Sequence, residues 1–160
     1  MYRASEPHAA DLAYFKATLI HNEFMNPSFY SYTPFRWRQL ADHCAQAIQN
    51  VVYQYKRVDY LRDVDKLWKS ATFIPIVDDY ANLIKHGPPR PRTARTDYRL
   101  SKREFTWNHD GKAFSFPYFE NSKGEVYTSK RVFCDALTEL QDYEHDAWEE
   151  HRTKSKRPAG

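Results

Sequence analysis

Residues 87–91 read Gly-Pro-Pro-Arg-Pro, and no helix or central strand runs through such a stretch. Each proline removes the backbone N–H that a helix or a sheet ladder needs and fixes its own φ. A glycine directly before two prolines is a helix stop. The break divides the chain into two halves that must be built differently. Before it, apolar residues recur with the period of a helix; after it, they tend to alternate.

Four helices are predicted in the first half. The first covers about 8–25, with Leu12, Phe15, Leu19 and Met25 as its expected core stripe, and Pro27 closes it. Thr33 and Pro34, a cap followed by a first-turn proline, open a second over about 34–56. Its stripe of Leu40, Cys44, Ala47, Ile48, Val51, Val52 and Tyr55 marks it as a central element. Asp59 is a candidate cap for a third helix reaching about 70, which carries Leu61, Val64, Leu67 and Trp68. The fourth, about 72–86, carries Phe73, Ile76, Val77, Tyr80, Leu83 and Ile84, and Pro75 fits it only in the first turn. The aromatic run Phe29, Tyr30, Tyr32, Phe35 and Trp37 either caps the bundle from within or faces a second subunit.

Beyond the break, about 96–128, short alternating runs rich in aromatic residues are separated by His-Asp-Gly and Asn-Ser-Lys-Gly, the pattern of an antiparallel meander of two or three strands. Ser129, or else Thr128, then caps a last helix, with Val132, Phe133, Ala136, Leu137, Leu140, Tyr143, Ala147 and Trp148 on its apolar side. The expected fold is mainly α: a bundle of four to five helices with a small antiparallel β-meander inserted before the last one. At 160 residues and 41% hydrophobic content the chain supports one core, hence one domain over 1–152, followed by a disordered basic tail at 153–160.

Several function classes lose support at once. Four isolated glycines make no phosphate-cradling loop, and no Ser or Cys sits in a nucleophile elbow. Cys44 and Cys134 lack metal-ligand spacing and read as small buried thiols of a reducing compartment. His145 lies among Asp142, Glu144, Asp146, Glu149 and Glu150, but one charged helix face is ordinarily solvated and does not converge on a metal. No cofactor is expected. No apolar run is long enough to span a bilayer, and Glu6 and Asp11 stand where a signal peptide would be apolar or basic, so the expected location is cytoplasmic, away from membranes.

Charge is segregated, although the net value is only +3. Lys85, Arg90, Arg92, Arg95, Arg99, Lys102 and Arg103 face a single acid, Asp97, in this stretch, whereas the last helix is acidic. An extended Pro-Arg segment tracks phosphates well, and the nearby Tyr98, Phe105 and Trp107 offer surfaces for base stacking. A solvated linker lying against the acidic helix fits the same residues.

The segment Asp-Asp-Tyr-Ala-Asn-Leu-Ile-Lys-His, ending at His86, together with the element order, resembles the small helical proteins grouped as HEPN-like. The matching residues are Asp79, Asn82, Lys85 and His86, and the similarity spans roughly 34–150 with the strands as an insertion. Active members of that family are metal-independent ribonucleases, acting as homodimers and found in bacterial and phage conflict systems such as antiviral defence and toxin-antitoxin pairs. Their Arg-x4–6-His signature keeps its polar residue and its histidine here, but Asn82, Ala81, Tyr80 and Asp79 occupy the arginine's possible places. Arg38 to His43 and Arg103 to His109 also satisfy that loose pattern, at other positions of the fold.

The resemblance implies a protein that binds or cleaves RNA. In that reading Asn82 and His86 are the catalytic candidates, while Lys85, Arg90, Arg92, Arg95 and Arg99 hold phosphates. Histidine suits either proton transfer of RNA cleavage, because it titrates near neutrality. The structural alternative is that Lys85 and His86 only complement a helix C-terminus. The functional alternative is a non-catalytic subunit on the same scaffold that binds a protein partner.

Overall fold

In the computed structural model, residues 5–25, 34–87, 94–109 and 111–156 are described. Helix α1 (Ser5–Met25) is followed by α2 (Pro34–Tyr55), α3 (Asp65–Ser70) and α4 (Phe73–His86). The strands β1 (Arg99–His109), β2 (Lys112–Glu120) and β3 (Val126–Thr128) precede α5 (Ser129–Ser155). The strands form one antiparallel sheet in the order β1-β2-β3. The expected mainly helical bundle with a meander before its last helix is the observed fold. No described helix is long and apolar enough to cross a membrane.

Helix α4 is central. Phe73 to Ala81 are all buried, so the helix is enclosed by protein through most of its length and surfaces only towards its C-terminus. Its N-terminus has no side-chain cap of its own. Glu139 of α5 supplies one from across the core, accepting the Phe73 and Ile74 backbone N–H groups at 2.8 and 2.9 Å. A carboxylate there satisfies orphan donors and complements the helix dipole. At the other end Gly87, at φ +76°, returns its N–H to the Leu83 carbonyl at 2.9 Å.

The meander completes the core. Phe116 and Phe119 of β2 are fully buried, with Phe24 of α1 set edge-on to Phe116 at 5.4 Å and to Phe133 of α5 at 5.2 Å. Pro117, which would break a regular central strand, lies where the β1–β2 register shifts between Leu100 and Glu104. Gly111, at φ +73°, supplies the left-handed residue of the β1–β2 turn. Thr128 caps α5, its hydroxyl accepting the Arg131 N–H at 3.1 Å.

Some expectations are corrected. Helix α1 buries Ala10, Ala13, Ala17 and Phe24, whereas Leu12, Phe15 and Leu19 are exposed at 53%, 60% and 50%. The helix is apolar on two faces, and the alanine face wins the core because small side chains let its backbone approach α2 closely. The third helix begins only at Asp65, since 56–64 form turns that still bury Val58, Leu61 and Val64. Cys134 is exposed, although Cys44 is buried as expected. Helix α5 continues to Ser155, into the stretch read as a disordered tail, and 157–160 lie outside the described residues. So do Phe29, Tyr30 and Tyr32, and the side chains of Phe35 and Trp37.

The orientation of α1 is testable by substitution and urea unfolding followed by circular dichroism. Phe15→Glu is expected to change the unfolding free energy by less than about 0.5 kcal/mol, while Ala17→Leu costs about 1–3 kcal/mol through overpacking. The reverse order would mean that α1 faces the core with its leucines.

Candidate nucleic-acid interface

Where α4 surfaces, its last turns meet the second half of α2 and Trp68 of α3. A cleft of about 460 Å³ opens there, lined by Gln49, Tyr53, Lys56, Trp68, Asp78, Asn82, Lys85, His86 and Arg95. Helical spacing brings Asp78, Asn82 and Lys85 onto one face of α4, while Gln49 and Tyr53 share a face of α2 and Lys56 follows in the turn at its end. The loop after the proline break delivers Arg95.

Gln49 organises this cleft. Its amide nitrogen donates to Asp78 Oδ1 at 2.9 Å and to Asn82 Oδ1 at 2.8 Å, and its carbonyl oxygen accepts from Lys85 Nζ at 2.5 Å. Asn82 also donates to Asp78 Oδ2 at 3.4 Å. Both ends of the Asn82 amide are thereby engaged, which makes it a fixed wall of the cleft. His86 is exposed and has no side-chain hydrogen bond or ion pair among the described residues.

Arg95 is held from two sides. Its Nε donates to Asp78 Oδ2 at 2.8 Å, and its guanidinium lies 3.6 Å from the centre of the Trp68 ring. The side chain remains 40% exposed, so the stacked guanidinium keeps donors free for an anion. Asp79 fixes the same loop through its backbone. It accepts from the N–H groups of Arg95 and Thr96, both at 2.8 Å, and from the Thr96 hydroxyl at 3.0 Å. Two neighbouring buried carboxylates thus anchor the chain as it returns from the break.

The remaining candidates are placed differently. Arg99 turns back on its own loop, donating to the Thr96 and Tyr98 carbonyls at 2.9 and 2.7 Å, with Asp79 at 3.7 Å. It does not line the cleft. Arg90 and Arg92 lie outside the described residues, as does the side chain of Trp107. Tyr98 stacks on Tyr127 at 5.2 Å and Phe105 on Phe116 at 5.3 Å, so these rings are committed within the protein. The 94–97 loop packs on α4 through Asp78 and Asp79, where one expectation had it against acidic α5.

Sequence reasoning missed Gln49, Tyr53, Lys56 and Trp68. The available signal was the helical spacing of Gln49, Tyr53 and Lys56 along one flank of the buried stripe of α2. Arg38 and His43 are exposed on α2 and line no part of the cleft, and Arg103 pairs with Glu120 at 3.3 Å. Among the described residues no group of three His, Cys, Asp or Glu side chains is arranged to hold a metal ion.

Asp79→Ala is expected to destabilise the fold by about 3 kcal/mol, because it leaves several loop donors without their acceptor. Asp79→Asn, which keeps one acceptor oxygen, loses less. Urea unfolding gives the energies, and amide exchange at Arg95 and Thr96 localises the effect; an unchanged midpoint in Asp79→Ala would remove the clamp.

Comparison with family models, curated proteins and solved structures returns no match to this chain.

Proposed function

We propose that this protein binds single-stranded RNA in the cleft between α2 and α4. The observation that carries the reading is the combination of cations and aromatic rings around an exposed histidine. Lys56, Lys85, His86 and Arg95 converge with Asp78 as the one acid among the described lining residues, and Tyr53, 61% exposed, stands at the same site. Phosphates find donors on several elements, and Tyr53 offers an open face to a base. The resemblance of the Asp79–His86 segment to HEPN-like proteins supports RNA over other polyanions.

Binding is a better account than cleavage. Transphosphorylation requires one group to take the 2′-hydroxyl proton and another to protonate the leaving 5′-oxygen. His86 supplies one such group. Asp78, the carboxylate of the described lining, is tied to Arg95, Gln49 and Asn82 and so is not free to act as the base, and the arginine of the family's cleavage signature is missing from its place before His86.

Fluorescence anisotropy with a labelled single-stranded RNA at several salt concentrations checks this. The Lys56→Ala/Lys85→Ala double variant is expected to bind about tenfold more weakly, with the slope of log K against log salt shallower by about 1.4, as for two lost phosphate contacts. RNA incubated in EDTA is expected to remain intact. Cleavage that disappears in His86→Ala would establish a ribonuclease, and equal binding by the double variant would remove the cleft as the site.

A second reading rests on α1. Leu12, Phe15 and Leu19 form an exposed apolar row, which suits a protein-interaction subunit or a homodimer contact. Sedimentation decides it: a dimer that Phe15→Glu converts to monomer supports a self-contact, and a monomer at every concentration removes the homodimer.

A further inference from the structure

A second cleft, of about 560 Å³, lies between α1, the turn after α2 and α5, lined by Tyr14, Tyr60, Gln141, Glu144, His145 and Trp148. Its construction differs from that of the RNA cleft: no lysine or arginine contributes, and three aromatic rings surround a carboxylate. Tyr60 and Trp148 meet edge to face, with centres 5.4 Å apart and planes at 62°. His151 stacks on Tyr60 at 5.2 Å and braces Trp148 at 5.9 Å. Trp148 is nonetheless 46% exposed, with these two rings as its neighbours.

The carboxylate is anchored on the core. Fully buried Tyr55 donates its hydroxyl to Glu144 Oε2 at 3.1 Å, which fixes the group without neutralising it. Among the described residues Glu144 has no ion-pair partner. Burial raises its carboxyl above the ordinary glutamate value, the Tyr55 hydrogen bond opposes that shift, and the field of Asp11 adds to it. A partly desolvated anion without a counter-charge favours any cation that can reach it. The rings add their own preference, since the negative face of an aromatic quadrupole attracts a cation while its edges pack methylene groups.

We infer that the Tyr14–Tyr60–Trp148 cleft, with Glu144 as its anion, is a binding site for an alkylammonium cation. The ammonium sits against the carboxylate and the indole, and its methylene stem lies along the tyrosines. A neighbouring groove shares Tyr60 with the cleft; Lys66 lines it, Glu139 is taken up in capping α4 and Glu150 pairs with Lys154, but Asp63, Asp142 and Asp146 remain there as further contacts for a ligand with more than one positive charge. Two sources offer this chemistry: a free polyamine, or lysine side chains on a polypeptide.

The test is calorimetric titration of the full chain with spermidine and, separately, with an acetylated tetralysine peptide. Variants Glu144→Gln and Trp148→Ala are compared with wild type after circular dichroism shows the fold intact. Saturable binding by wild type that each variant weakens about tenfold supports the site. Tighter binding of spermidine identifies a free polyamine as the ligand, and tighter binding of the peptide identifies a lysine-bearing chain. Absence of binding, or binding that both variants retain in full, would overturn the proposal, the latter because it reports only the diffuse acidity of α5. Glu144→Gln keeps an acceptor for Tyr55, so its effect reads charge. Because these residues lie outside the RNA cleft, failure here leaves the RNA reading standing.

Discussion

The fold depends on two adjacent carboxylates being buried and satisfied. Asp78 and Asp79 sit in a helix enclosed by protein, at 8% and 6% exposure, and an unpaired charge there would cost several kcal/mol. The partners come chiefly from the chain beyond the proline break: the Arg95 guanidinium for Asp78, and the Arg95 and Thr96 backbone for Asp79. Gln49 of α2 completes the set. The chain leaving α4 is thus obliged to return to it before entering β1, and this return ties the meander to the bundle.

The same requirement shapes the surface. Because Asp78 must be paired, Arg95 is drawn across Trp68 and into the cleft. Because Gln49 must serve Asp78, it also orders Asn82 and Lys85. A structural necessity in the core therefore sets the positions of the groups proposed to meet an anion outside. On α5 a comparable coupling holds, since Glu139 caps α4 across the core while Glu144, a little over one turn later, takes the Tyr55 hydroxyl and remains uncompensated.

Much of this architecture was legible in the sequence because it is written in local signals. The cap at Thr128, the stop at Gly87 and the apolar stripe of α2 each act within a turn or two. The failures have a common cause, which is that tertiary context chose between local options. Helix α1 offers an alanine face and a leucine face, and periodicity favours the larger side chains, whereas close packing on α2 selected the smaller. The turns at 56–64 carry an apolar spacing compatible with a helix, yet they bury Val58, Leu61 and Val64 without forming one. At the candidate site, Lys85 and His86 were visible as the end of a helix beside a basic loop. Gln49, Lys56 and Trp68 were not, since they approach from distant positions. The expected base-stacking rings Tyr98 and Phe105 were readable as aromatic, but not as already stacked on Tyr127 and Phe116.

The central claim is that the core carboxylates position a cleft that receives RNA. Two-dimensional NMR of the isotopically labelled protein, titrated with a short single-stranded RNA, tests it most directly. The account predicts saturable shifts at the Gln49 and Asn82 side-chain amides, the His86 ring and Arg95 Nε. Shifts confined to the meander or to α5, or no shifts at all, would contradict it.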